Sequence, residues 1–142
     1  MFKKILLPTD GSDSAEKEIG LVKKLIADDG EVIILSVAGK LTSSAFQSRK
    51  NVRKVNAGML KEAKENVSKM EALFPEGINT RTIVKTGFPA ETINKVAEDE
   101  DVELIVISSS GKSGIHRFII GSVAEKVLKT SNIDVLLVQN NR

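Results

Sequence analysis

Short, uninterrupted apolar runs alternate along the chain with longer stretches of helical period. The runs cover residues 5–7, 32–35, 104–107 and 135–138. Because no polar residue interrupts them, they predict strands covered on both faces, as in a parallel sheet with helices on either side. A fifth strand is predicted over Asn79–Val84, whose first half is far more polar, and an edge position in the sheet explains that polarity.

Between the strands, apolar residues recur every three or four positions, which places them on one face of a helix. Two such sets span residues 15–26 and 52–74, and shorter helices are predicted over residues 90–98 and 122–129. The resulting β-α-β-α-β-α-β-α-β order predicts a doubly wound α/β fold, and we expect one domain over residues 1–142.

One segment fits neither pattern. Residues 39–50 contain few apolar positions and no clear period, so they predict a long loop. Basic side chains from Arg49 to Lys54 follow, and no acidic residue occurs from position 39 to 61. The segment is either a solvated connection or, since long loops in compact domains are often functional, a lid or a partner contact.

Composition excludes several classes of function. The 142 residues carry 21 Lys plus Arg and 19 Asp plus Glu, a net charge of +2, and only 4% are aromatic. Neither bulk charge nor aromatic stacking therefore favours binding of nucleic acid. The absence of cysteine excludes disulfides and thiol chemistry, and it fits a cytoplasmic protein. Neither a targeting segment nor an apolar stretch of the roughly 20 residues that span a membrane is recognised, so we expect a soluble protein.

Candidate binding residues follow strands 1 and 4. Open α/β sheets bind ligands beyond the carboxyl ends of their strands, where the strand order reverses. Asp10 would project into this crevice, while Ser12 or Asp13 would cap the next helix. After strand 4, Gly111 and Gly114 would let backbone amides surround an anion, and the intervening lysine would add a positive charge.

A second anion site is predicted at the start of the last helix. Gly121 and Ser122 open this helix, whose free N–H groups and positive dipole end favour phosphate. Ser122 can also cap the helix, since Glu125 lies at capping-box spacing. Other phosphate motifs fail: a P-loop requires glycine where this chain has Val106, and no Gly-x-Gly precedes Gly114 as a dinucleotide fingerprint requires.

These motifs resemble those of the universal stress protein family over nearly the whole chain, from residue 3 to about residue 139. The family signature Gly-x2-Gly-x9-Gly-[Ser/Thr] follows strand 4. It matches here at Gly111, Gly121 and Ser122, while Ser108 stands at its first glycine. Two further segments are similar to family motifs: Pro-Thr-Asp-Gly-Ser at 8–12 and Gly-Phe-Pro-Ala at 87–90.

The resemblance implies a Rossmann-like sheet of strand order 3-2-1-4-5 and a binding site for ATP or AMP that serves as a stress-response switch or sensor. Mg²⁺ or Mn²⁺ would accompany ATP through its phosphates, and two chains would form a homodimer along strand 5. The residues up to position 37 would contact adenine and ribose, and the later ones ribose and phosphates. The implied nucleotide-binding residues are Pro8, Thr9, Asp10, Val37, Ser108, Gly111, Lys112, Ser113, Gly114, Gly121, Ser122 and Val123.

Two other functions stay open. A nucleotide-free dimeric module that acts through protein partners is favoured by Ser108 and by the basic segment 39–54. A slow ATPase is a third and less supported hypothesis, based on the fact that a phosphate-binding loop with a cation promotes hydrolysis by positioning alone. His116, the only histidine, is interpreted as a helix residue rather than as a general base, so the sequence favours binding over catalysis.

Overall fold

The computed structural model describes residues 1–12, 14–39, 48–109 and 121–139. Five strands alternate with four helices over these ranges. None of the helices there is both long enough and apolar enough to cross a membrane. The elements in chain order are β1 (Phe2–Pro8), α1 (Ala15–Leu25), β2 (Ile26–Ala38), α2 (Arg49–Leu73), β3 (Asn79–Thr86), α3 (Pro89–Asp99), β4 (Leu104–Ser108), α4 (Ser122–Thr130) and β5 (Asp134–Val138).

The five strands form one parallel sheet in the order β3-β2-β1-β4-β5. In its centre, Leu6 of β1 lies between Ile33 of β2 and Ile105 of β4. The predicted α/β fold is confirmed, and so is the edge position of the polar strand β3. The chain runs from β1 outward to β2 and β3 and returns to β4 on the other side of β1, so the strand order reverses between β1 and β4.

Alternate side chains of the inner strands pack on opposite faces of the sheet. Leu7 contributes to a core with Ile19 of α1, on the face that α2 also covers. Leu6 contributes to a second core with Ile93 of α3 and Val127 of α4. Because both faces are covered there, every position in the runs 5–7, 32–35 and 104–107 favours an apolar side chain, which accounts for the absence of polar residues from them.

The first helix ends one residue earlier than the sequence predicted, at Leu25 and not at Ile26. Ile26, predicted on the apolar face of that helix, begins β2 and pairs with Phe2. The β2 chain then bulges, and regular pairing resumes with Glu31 opposite Lys4. Ile26 is buried in this position, so its apolar character was correctly interpreted as burial. Apolar spacing by itself does not distinguish the last turn of a helix from the first residue of a strand.

Helix α2 begins earlier than the sequence predicted. Arg49 and Lys50, predicted as the end of a loop, form its first turn. Ser48 supplies the cap, because its hydroxyl oxygen accepts the N–H of Asn51 at 3.2 Å. The middle of the predicted loop, residues 40–47, lies outside the described residues. A role of that segment as a lid or partner contact therefore stays a prediction.

Candidate functional site

A cavity of about 350 Å³ opens beyond the carboxyl ends of β1 and β4, where the strand order reverses. Its volume falls within the range of roughly 300–1,000 Å³ that small-molecule sites occupy. Four predicted site residues, Gly111, Lys112, Ser113 and Gly114, lie outside the described residues. The other eight all line this one cavity: Pro8, Thr9, Asp10, Val37, Ser108, Gly121, Ser122 and Val123.

The turn after β1 forms one edge of the cavity. The N–H of Thr9 donates to the carbonyl of Leu35 at 2.8 Å, which holds the turn against β2. Oδ1 of Asp10 accepts the N–H of Ser12 at 3.0 Å, the hydrogen bond of an Asx turn. Gly11 has φ +83°, a conformation that glycine adopts without steric cost. These contacts hold the Asp10 carboxylate at the mouth of the cavity.

The start of α1 differs from the prediction that Ser12 or Asp13 caps it. Ser14 occupies the N-cap position, and its side chain accepts no hydrogen bond from a helix amide. Its hydroxyl instead donates to Oε1 of Glu18 at 2.6 Å. Asp13 lies outside the described residues. The serine at the cap therefore orients a carboxyl group of the cavity wall.

The start of α4 also lines the cavity. The N–H of Gly121 donates to the carbonyl of Ser109 at 2.5 Å, and the N–H of Ser109 donates to the carbonyl of Val138 at 2.8 Å. Gly121 is the N-cap and Ser122 the first helical residue, without a side-chain cap, so the predicted capping by Ser122 is wrong. The N–H groups of a first helical turn have no acceptor within the helix, and they favour an anion.

Ser108 stands where the family signature has a glycine, and it does not close the cavity. It is the last residue of β4, half-buried, and one of the residues along the wall. The volume of about 350 Å³ is open beside it. The serine side chain is therefore compatible with a ligand at this edge of the sheet.

Glu18 is an acidic cavity residue that sequence reasoning missed. It lies in α1, is only 2% exposed and contributes to the wall of the cavity. Burial raises the pKa of its carboxyl to about 7, the negative charge of Asp10 acts in the same direction, and the hydrogen bond from Ser14 opposes them. A signal was present in the sequence, because position 18 lies on the same helix face as Ala15, Ile19 and Val22, where an acid interrupts the apolar pattern.

Apolar side chains complete the wall. Leu35, Ile107 and Ala124 contribute from β2, β4 and α4, and Pro89 and Ile93 contribute from α3. Pro89 occupies the first turn of α3, where the backbone N–H that proline lacks would have no acceptor within the helix. Among the described residues, no group of three or more His, Cys, Asp or Glu side chains is placed to hold a metal ion. The cavity wall thus combines apolar side chains, two carboxyl groups and the start of a helix.

Comparison with known proteins links the chain to one family. Residues 1–139 match the model of the universal stress protein family. Universal stress protein MJ0577 from Methanocaldococcus jannaschii is 34% identical, over 98% of this chain and 96% of its own length. The solved structure of MJ0577 aligns with a TM-score of 0.85 over 100% of this chain and 99% of its own, at 33% identity.

Two more distant solved structures share the fold and hold nucleotides. A universal stress protein family protein from Arabidopsis thaliana, solved with AMP bound, is 16% identical with a TM-score of 0.60, over 98% of this chain and 92% of its own. The universal stress protein from Archaeoglobus fulgidus, solved in complex with dAMP, is 22% identical with a TM-score of 0.55, over 96% and 97% of the two chains. At such low identity these similarities show a common fold.

Proposed function

The chain belongs to the universal stress protein family, and we propose that it binds an adenine nucleotide, ATP or AMP, as a stress-response switch or sensor. One observation carries this proposal: the Asp10 turn and the start of α4, far apart in sequence, face the same cavity. Adenine nucleotides in two solved members of this fold support it, since AMP and dAMP are present in those structures.

The chemistry of the cavity fits the parts of an adenine nucleotide. The N–H groups at the start of α4, from Ser122 and Val123, suit the phosphates, because they are unsatisfied within the helix and lie at its positive end. The apolar surface of Val37 and Ile93 suits the adenine ring. The Asp10 carboxylate, which also lines the cavity, suits the ribose hydroxyls as a hydrogen-bond acceptor.

Three further parts of the proposal rest on the family resemblance and on the composition. Mg²⁺ or Mn²⁺ accompanies ATP and is held through its phosphates. Two chains pair along β5, which is an edge strand of the described sheet. The composition without cysteine fits a protein of the reducing cytoplasm.

Isothermal titration calorimetry on the Gly121→Val variant tests the site. Gly121 is a buried wall residue with φ −61° and ψ 152°, a backbone conformation that valine also adopts. The branched side chain should narrow the phosphate end and weaken AMP and Mg-ATP binding by at least about tenfold. Gly58→Val is the matched control, since Gly58 lies in α2 with no heavy atom within 4 Å of an added Cβ, and it should bind as the wild type does.

Each outcome bears on a different part of the proposal. Equal affinity in wild type and in folded Gly121→Val places the nucleotide elsewhere and contradicts the site. If the wild type binds neither nucleotide, and if gently purified protein releases none on denaturation for mass spectrometry, the nucleotide proposal is wrong. The nucleotide-free partner module then becomes the better interpretation.

A further inference from the structure

The wall of the cavity contains a carboxyl group, that of Glu18, one oxygen of which has no partner among the described residues. Glu18 is 2% exposed, and its Oε1 accepts the hydroxyl of Ser14 at 2.6 Å. Its Oε2 is buried and has no hydrogen-bond partner among the described residues. A buried polar atom without a partner is costly, so an atom of this kind beside a cavity is a candidate contact for a ligand.

The surroundings of Glu18 favour its neutral form. Asp10, at the end of β1, is the other titratable group among the described wall residues, and it bears the same charge. The wall residues described on β2, β4, α3 and α4 are uncharged, and the neighbour on its own helix start is the Ser14 hydroxyl. Burial and Asp10 together raise the pKa of Glu18 to about 7, against the opposing hydrogen bond from Ser14.

An anionic ligand strengthens this preference. A phosphorylated nucleoside in the same cavity brings further negative charge close to Glu18, and in a site removed from water like charges disfavour ionisation. A neutral Glu18 carboxyl also changes the chemistry of the wall, because a protonated oxygen donates a hydrogen bond where a carboxylate only accepts. A neutral Glu18 carboxyl in the wall can then donate to an oxygen of the ligand.

We propose that Glu18 is a binding residue of this cavity and couples the binding of a phosphorylated nucleoside to the uptake of one proton. The proton is held on the Glu18 carboxyl. This inference rests on the proposed function and adds to it a dependence on pH. Affinity should be highest where Glu18 is already neutral and should fall as the pH rises, because each binding event must then take a proton from water.

Calorimetric titration with AMP at about pH 5.5, 7 and 8.5 tests the coupling in wild type and in Glu18→Gln. The glutamine side chain has nearly the same shape and stays neutral throughout. Above neutral pH, wild-type affinity should fall by up to about tenfold per pH unit relative to the variant. The AMP phosphate titrates identically in both experiments, so the difference between the two proteins isolates Glu18. Repeating the titration above neutral pH in two buffers of different ionisation enthalpy should show up to one more proton taken up by wild type than by Glu18→Gln.

The possible outcomes distinguish a failure of this inference from a failure of the proposed function. If AMP binds to both proteins with the same dependence on pH, nucleotide binding stands and the role of Glu18 is wrong. If Mg²⁺, compared with EDTA, restores wild-type affinity at high pH and does so far less for Glu18→Gln, a cation rather than a proton neutralises the carboxylate, and the inference is again wrong. If AMP binds to neither protein at any pH, the proposed function and this inference fail together.

Discussion

Replacing Glu18 by glutamine should stabilise the protein at alkaline pH, even without a ligand. In the folded chain the pKa of the Glu18 carboxyl is raised from 4.5 to about 7. A carboxyl whose pKa is higher in the folded state than in the unfolded state favours folding only while it is protonated. Its contribution is therefore fully present below about pH 4.5, decreases as the pH rises, and is lost above about pH 7.

The magnitude follows from the difference in pKa. Each pKa unit corresponds to about 1.4 kcal/mol, so ionising Glu18 in the folded protein costs about 3 kcal/mol at pH 8 and above. Near pH 5 most of that cost is absent. Glu18→Gln avoids ionisation but places an amide nitrogen at the position of Oε2, which has no partner among the described residues, and this adds an offset that does not vary with pH. The difference in unfolding free energy between wild type and Glu18→Gln should therefore change by roughly 2 kcal/mol or more from about pH 5 to pH 8. The constant offset cancels from that change.

Urea unfolding followed by circular dichroism at several pH values measures this difference. Glu16→Gln is the matched control, because Glu16 lies in the first turn of the same helix and is exposed. Any general effect of removing one negative charge from α1 will appear in that variant as well. If the unfolding free energies of wild type and Glu18→Gln change in parallel from about pH 5 to pH 8, Glu18 does not titrate as its burial requires, and the argument for a proton on this carboxyl is refuted.

Two further predictions concern glycines at the turn after β1 and in α1, and the N-cap of α2. Gly11→Ala should lower the free energy of unfolding by about 1–2 kcal/mol, because Gly11 has φ +83° and its added Cβ would lie 2.6 Å from Oδ1 of Asn66. Gly20→Ala, in the middle of α1 with open space around the added Cβ, should raise the free energy of unfolding by about 0.5–1 kcal/mol. Urea titrations in which both glycine variants change the free energy of unfolding in the same direction would contradict this prediction. Ser48→Ala should cost about 1 kcal/mol, because it removes the acceptor of the N–H of Asn51, whereas Ser48→Asn keeps a capping oxygen and should cost far less. Equal unfolding midpoints for the two Ser48 variants would show that the cap contributes little.

Most of the fold could be predicted from apolar spacing, because buried positions are occupied by apolar residues and their spacing differs between helices and strands. The run 32–35 contains no polar residue since both faces of β2 are covered, and the polar start of β3 indicated an edge strand. Helix starts were predicted less well. Ser14 and Gly121 both stand at N-caps that sequence reasoning had put elsewhere, because several neighbouring polar residues suit a cap equally and tertiary packing selects among them.

By itself, then, the sequence determined the alternation of strands and helices, the covered sheet, the polar edge and the family, since each of these depends on residue types at short spacings. The tertiary structure decided what lies together at the cavity. Pro8 and Gly121 are separated by more than a hundred residues and meet only because β1 and β4 are neighbours in the sheet. The state of Glu18 was decided in the same way. An acid on a helix face is ordinary until neighbouring elements exclude water from it, and that exclusion depends on the packing of the whole domain.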